Sequence, residues 1–249
     1  EMAGVAYVGA GVLGSSVGMD KGVFKDVMRA NQIPVIAGEI ILRSELSENS
    51  EDLISRLEGI GPYPLFTKPA NMGSSVGVTK CRSRSDLFEG LMEAARYDRR
   101  ILVERGINPR EIEISVLGND KPVASVPGEI CPAADFYSYE AKYHDAGSEL
   151  FIPADIPQGL ADEMRAVAVK AYQLIDCAGM ARVDFMIDND SGAYYLNEVN
   201  TIPGFTQISM YPKLWKASGV PYPALIDKLI QLALERRMDR DQTKWRYES

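Results

Sequence analysis

The sequence predicts an α+β fold, and three observations carry that expectation. Segments with strand character are joined by tight polar turns, most clearly residues 183–187 and 193–199 around Asn189-Asp190-Ser191-Gly192. Two stretches keep apolar residues at helical spacing: Leu160, Met164, Val167, Ala168, Ala171, Leu174 and Ile175 in one, Leu225, Leu229, Ile230, Leu232 and Ala233 in the other. The 249 residues are 46% hydrophobic and 25% charged, enough for one large domain or two smaller ones with real cores.

The elements follow in order. Residues 4–18 are rich in Gly, Ala, Val and Ser and read as a linker with one short strand at 5–8. Asp20 can cap a helix reaching about residue 30, with Pro34 beyond its end. An apolar strand is expected over 35–42, a helix over 50–57 and a strand over 65–68. The last leads into Ala70-Asn71-Met72-Gly73-Ser74-Ser75-Val76-Gly77 and a further strand at 76–80. Ser85 caps a helix that ends near Tyr97. Strands are expected over 101–104 and 111–117, the second placing Ile112, Ile114 and Val116 on one face, before a turn at Asn119-Asp120. Residues 128–147 show no period, and a loop that long in a compact domain is functional or disordered. A final helix spans 223–238. The expected division is a linker over 1–20, a central unit over 21–111, and a C-terminal unit over 112–249 that contains the mobile loop 128–147.

Bulk properties exclude several classes. Twenty-seven basic against 35 acidic residues leave a formal charge of −8, which argues against a nucleic-acid partner. An anionic nucleotide can still bind where basic groups and backbone N–H donors converge. No apolar run reaches the roughly 18 residues of a membrane span. Cys81, Cys131 and Cys177 are sparse and unpaired by motif, which suits a reducing compartment and a cytoplasmic protein. Glu1 and the residues after it carry no basic leader and read as the middle of a larger chain.

Two motifs are decoys. Gly9-Ala10-Gly11-Val12-Leu13-Gly14 fits G-x-G-x-x-G, but that fingerprint needs a βαβ unit and an acidic residue about 20 positions on, where Asn31, Gln32 and Pro34 stand. Gly73-Ser74-Ser75-Val76-Gly77 fits G-x-S-x-G, but the nucleophile elbow leads into a helix. Here β-branched residues follow it, and His144 is the only histidine a triad could use.

Three features carry chemistry. Phe66-Thr67-Lys68-Pro69 leads into the Gly73–Gly77 loop, whose small residues let backbone N–H groups and a lysine approach phosphate oxygens. Asp184, Glu198 and Asn200 lie at the facing ends of the predicted hairpin, and three oxygen ligands on adjacent strands suit Mg²⁺, with Arg182 on the same face. Asn200-Thr201-Ile202-Pro203-Gly204-Phe205-Thr206 follows as a loop able to offer backbone donors to a carboxylate or oxyanion, with Ser209 just beyond.

The order of these features resembles the ATP-grasp superfamily: Lys68 and its serine-glycine loop, Val103-Glu104, Arg182-Val183-Asp184, then Asn197-Glu198-Val199-Asn200-Thr201-Ile202-Pro203-Gly204. Four stretches resemble the D-alanine–D-alanine ligases in particular. They are Met19-Asp20-Lys21, Gly73–Gly77, Phe136-Tyr137-Ser138-Tyr139-Glu140-Ala141-Lys142-Tyr143, and Asn197–Gly204. The resemblance implies an ATP-grasp fold of two α+β subdomains sandwiching ATP, without the family's N-terminal Rossmann-like domain. It implies ligation of two D-alanines for peptidoglycan, with ATP and two Mg²⁺ ions (Mn²⁺ substituting), and a homodimer at full length.

By the same resemblance Lys21, Lys68, Ser75 and Lys142 contact the nucleotide phosphates. Glu104 and the Ile107 backbone hold adenine, and Glu111 the ribose. Asp184, Glu198 and Asn200 hold the metal ions. Arg182 and the Gly204 N–H stabilise the oxyanion, Ser209 binds the second substrate's carboxylate, and Ser74 and Tyr143 position and deprotonate its amine. Tyr143 marks an amine acceptor, with D-serine as the alternative to D-alanine. Gly106 departs from relatives that carry a bulky aromatic there. A fragment that binds nucleotide without ligating is the competing reading.

Overall fold

The computed structural model describes residues 1–47, 50–131 and 149–244. Its first part contains helices α1 (Val12–Met19) and α2 (Lys21–Ala30), strand β1 (Gly38–Leu42), a 3₁₀ turn (Arg43–Ser47) and α3 (Ser50–Glu58). Then come β2 (Leu65–Pro69), β3 (Thr79–Cys81), α4 (Arg84–Tyr97) and β4 (Arg100–Arg105). The second part holds β5 (Pro109–Gly118), β6 (Val123–Ala124), β7 (Gly128–Cys131), β8 (Glu149–Phe151) and α5 (Gln158–Leu174). It ends with β9 (Gly179–Asp188), β10 (Tyr194–Asn200), α6 (Met210–Ala217) and α7 (Tyr222–Asp241).

Two antiparallel sheets result. The first has the order β1-β4-β2-β3; the second runs β10-β9-β5-β7-β8, with β6 on β5. The α+β expectation therefore holds. In the first sheet, β4 lies between two partners, and its Ile101 and Val103 join Leu53, Ile54 and Leu57 of α3 and Leu87, Leu91 and Ala94 of α4 in one core. In the second sheet β5 and β9 pair over ten residues, from Pro109↔Asp188 to Gly118↔Gly179. Alternation then sorts the side chains. Ile112, Ile114 and Val116 of β5 pack with Val183, Phe185 and Ile187 of β9 beneath α5, while Glu111, Glu113, Arg182 and Asp184 are left for the opposite face. The far end of that opposite face is closed by α6 and α7 through Tyr211, Trp215, Leu225 and Leu229.

Helix α2 crosses between the two halves. It is capped by Asp20, whose side chain accepts from Gly22 N–H at 3.0 Å and Val23 N–H at 2.9 Å. Although it precedes the first sheet in sequence, it buries Phe24 and Met28 in the core of the second. The backbone passes between sheets at residues 106–108, held by Gly106 N–H to Pro64 O at 2.8 Å and Asn189 N–H to Asn108 O at 2.9 Å.

Several expectations change. Residues 5–8 form no strand, and a helix, α1, stands where a linker was expected. The propensity of Gly and Ser is overridden by close packing: a Cβ on Gly14 would lie 2.9 Å from the carbonyl oxygens of both Ile175 and Asp176, so only glycine lets the helix approach that backbone. The G-x-G-x-x-G motif still lacks its preceding strand. Ser83, not Ser85, caps α4, accepting from Asp86 N–H. The strand after the Gly73–Gly77 loop starts later than expected, at Thr79. Residues 128–131 form β7, because they pair with β5 and β8; the rest of the expected loop, 132–147, lies outside the described residues. Helix α6 had no sequence signal, since Pro212 sits inside its first turn, where proline is tolerated. Among the described residues no helix is long and apolar enough to cross a membrane.

The contrast between two helical glycines is testable. Gly14→Ala gains up to about 1 kcal/mol of helix propensity but forces contacts whose overpacking costs about 1–3 kcal/mol, so it lowers stability in urea denaturation. Gly159→Ala, with nothing within 4 Å of its added Cβ, raises stability by up to about 1 kcal/mol in the same measurement.

Candidate active site

The first half of the site is built on the inner face of β4 and β2. Glu104, on β4, is 1% exposed, and its two carboxylate oxygens are ion-paired with two lysines. Lys25, from α2, takes Oε1; Lys68, from β2, takes Oε2 at 2.5 Å. Burial alone would push this carboxyl up, but Lys68 and Lys25 overcome it and hold Glu104 at about 2. Lys21 lies one helical turn before Lys25 and donates to Met72 O at 2.5 Å, which ties α2 to the 70–78 loop. Burial lowers the pKa of Lys21, and Glu198 opposes that shift, so Lys21 stands within electrostatic reach of the second sheet. Ser74 and Ser75 in the loop adopt φ of 53° and 58°. Left-handed backbone costs a non-glycine residue about 1–3 kcal/mol and is characteristic of ligand-holding turns.

The second half is built on β5, β9 and β10. Register places Glu113 opposite Asp184 and Asp184 opposite Glu198, so three carboxyls stand side by side across three strands. Arg182 meets Asp184 through two bonds of 2.7 Å and reaches Glu113 at 3.1 Å. Burial works against the guanidinium charge, yet Asp184 and Glu113 hold its pKa above the usual arginine value. Burial, with Asp184 adding to it, pushes Glu113 up to about 8. Asn200 donates its amide to Asp184 at 2.8 Å and to Glu198 at 3.3 Å.

A cation fits here on chemical grounds. The Asn200 NH₂, a partial positive charge, occupies the space between the Asp184 and Glu198 carboxylates, and the one arginine beside them is bonded to Asp184 and Glu113. Among the described residues no three His, Cys, Asp or Glu side chains form a closed metal cage. A hard cation at this place would therefore complete its shell from water and phosphate oxygens, as Mg²⁺ does. Charge is thus polarised across the cleft: lysines gather around one glutamate on one side, and carboxyls around one arginine on the other.

The remaining expected residues fall around these halves. Ile107 is half-buried at the crossing between the sheets, and Glu111 shares the face of Glu113 on β5. Gly106 is where it must be, since an added Cβ would lie 2.5 Å from Pro64 O; no aromatic could stand there in this backbone. Beyond β10, Ser209 Oγ accepts from Thr206 N–H at 3.1 Å and contacts the Thr206 hydroxyl at 2.8 Å, and a Cβ on Gly204 would touch that Oγ at 3.0 Å. Ser209 also stands at the N-cap position of α6, where the first N–H groups of a helix lack intrahelical partners, and its side chain makes no capping bond. Lys142, Tyr143 and His144 lie outside the described residues.

Two residues escaped sequence reasoning. Lys25 carried one signal, its spacing from Lys21 beside the apolar positions Phe24 and Met28, which a lysine on a solvated face would not share. Glu113 alternates with the core residues of β5, but only the register with β9 brings it to Arg182.

Comparison with known proteins bears on this geometry. A family model described as "D-ala D-ala ligase C-terminus" matches residues 27–231. The D-alanine–D-alanine ligase of Heliobacterium modesticaldum is 49% identical over 242 residues, covering 97% of this chain and 66% of that protein. That of Ruminiclostridium cellulolyticum is 52% identical over 241 residues, covering 96% and 64%. Among solved structures, the D-alanine-D-alanine ligase from Coxiella burnetii superposes with a TM-score of 0.84 at 38% identity, over 96% of this chain and 63% of that one. The VanG D-Ala:D-Ser ligase from Enterococcus faecalis gives 0.83 at 34% identity, over 93% and 66%. The chain thus spans about two thirds of the length of the curated relatives it matches. With its two sheets, its order of lysine loop, arginine-aspartate strand and acidic hairpin, and a match over most of its length, the chain belongs to the D-alanine–D-alanine ligase family.

Proposed function

We propose that this chain is the nucleotide-binding and catalytic part of an ATP-dependent ligase that joins two D-alanines for peptidoglycan. The observation that carries the reading is the polarised cleft, lysine-rich on the first sheet and carboxyl-rich on the second. Magnesium triphosphate has the matching polarity. The units 21–111 and 112–249 act as the two halves of the grasp, with α2 reaching across.

In this reading Lys21, Lys68 and Ser75 bind the phosphates, and Lys142 adds a contact. Adenine rests against the strand end at Glu104 and the Ile107 backbone, and Glu111 takes the ribose hydroxyls. Asp184, Glu198 and Asn200 would hold two Mg²⁺ ions, which supply neutralisation of phosphate charge during transfer. The carboxylate of the first D-alanine attacks the γ-phosphorus, ADP leaves, and an acyl phosphate remains. The amine of the second D-alanine attacks the acyl carbon and loses a proton, assisted by Ser74 and Tyr143. The tetrahedral oxygen gathers negative charge, which Arg182 and the Gly204 N–H stabilise, and inorganic phosphate departs. Arg182 suits that task because Glu113 and Asp184 fix its orientation beforehand. Ser209, at the start of α6, receives the second carboxylate.

Similar superposition on a D-Ala:D-Ala and a D-Ala:D-Ser ligase leaves D-serine as an alternative acceptor, decided by pocket side chains rather than fold. A homodimer, and a place in the cytoplasm, accord with a biosynthetic enzyme of small substrates.

Calorimetric titration with AMP-PNP tests the site. Binding is expected to require Mg²⁺ and to weaken by at least about tenfold, or 1.4 kcal/mol, in Glu198→Gln. Binding indifferent to Mg²⁺ and to that substitution would overturn the metal assignment. Dipeptide formation from ATP and D-alanine, followed by mass spectrometry in an active form of the protein, should slow by about 10²-fold or more in Arg182→Ala. An unchanged rate would remove Arg182 from the oxyanion role.

A further inference from the structure

The roles above leave Lys25 unused. At 2% exposure its ammonium is sealed from the cleft and cannot meet a phosphate. Its partners are Glu104 Oε1 and, more weakly, Ile36 O at 3.4 Å. Lys68 takes the other oxygen of the same carboxylate and keeps 15% of its side chain exposed. One carboxylate is therefore shared between a cation locked behind it and a cation that can reach solvent.

We propose that Lys25 is a positioning residue of the nucleotide site: it neutralises Glu104 from the buried side, so that Lys68 can pass its ammonium from Glu104 to a phosphate. The proposal rests on the nucleotide reading of this cleft. A buried carboxylate stripped of one partner is left uncompensated and holds its remaining partner hard. Without Lys25, Glu104 and the incoming phosphate would compete for the single ammonium of Lys68. With Lys25 in place, Glu104 stays paired whether or not Lys68 has turned away. Helix α2 thereby supplies two lysines with separate tasks. Lys21 bonds to the carbonyl of Met72 in the phosphate loop at 2.5 Å, and Lys25, on the next turn, holds the acid behind Lys68. A merely mechanical tie between α2 and the sheet would account for one ion pair, but not for a carboxylate divided between two lysines.

The test is a cycle of four proteins: the 249-residue chain, Lys25→Met, Glu104→Gln, and the double variant. Each is titrated calorimetrically with AMP-PNP in Mg²⁺, and its melting temperature is recorded. Lys25→Met is expected to weaken binding by about tenfold. Adding Glu104→Gln to it should recover most of that loss, because Lys68 is released. A mechanical role forecasts a lowered melting temperature with unchanged affinity in Lys25→Met, and that result would overturn the proposal. So would a further loss of affinity when Glu104→Gln is added. Should Lys25→Met fail to fold, the double variant decides, since replacing a whole buried ion pair by uncharged residues is often tolerated. Its affinity should lie within about threefold of Glu104→Gln, or about 0.7 kcal/mol; a larger gap sinks the idea. If the unsubstituted chain binds no AMP-PNP, the nucleotide reading itself fails and this proposal goes with it. If that chain binds and the recovery is absent, only the role of Lys25 is lost.

Discussion

The ten-residue antiparallel pairing of β5 with β9 is the constraint on which the rest of the molecule depends. A shift of one residue would turn every side chain of one strand to the other face. Val183 and Phe185 would leave the core, and Arg182 and Asp184 would enter it. The apolar positions hold this register through burial, and the polar positions inherit their alignment. Glu113, Asp184 and Glu198 thus stand abreast without any attraction among themselves; repulsion among them would favour separation. Their proximity is imposed by Ile112, Ile114, Val183 and Phe185 on the reverse side.

The same logic explains how charge is divided across the cleft. Each half concentrates one sign: two lysines on a single buried glutamate in the first sheet, several carboxyls around a single arginine in the second. Such groups are costly to bury when incompletely paired. They are held there because each side chain is anchored on an element whose other face is well packed. The cost is borne by the two cores, and it leaves the cleft prepared for a ligand of opposite polarity at each end.

Much of this was readable from the sequence. The alternation of β9, the Asn189–Gly192 turn and the helical spacing of α5 are local patterns, and local patterns fixed the hairpin that presents Asp184, Glu198 and Asn200. The lysine at the end of β2 and the glycine-serine loop were also local. What escaped was decided by contacts distant in sequence. Helix α1 forms because Gly14 can lie on the backbone at Ile175 and Asp176. The short strands β7 and β8 exist only as partners of β5 and of each other. Lys25 stands among apolar helix positions in the sequence, but its partner Glu104 arrives only with β4, nearly 80 residues later. The cap at Ser83 instead of Ser85 is a smaller error of the same origin, since both serines have the right chemistry and only the chain direction before the helix chooses.

Among the described residues the two sheets are joined by the backbone crossing at 106–108, by α2, and by Arg105, which donates to the Tyr195 hydroxyl at 3.1 Å. Helix α2 is rooted by Phe24 and Met28 in one core and by Lys25 on the other sheet. Moving one sheet past the other would have to lift two apolar side chains out of a packed core or pull Lys25 from a buried carboxylate, and either is costly. The spacing between the lysine side and the carboxyl side is therefore set by the ties themselves, before any ligand arrives.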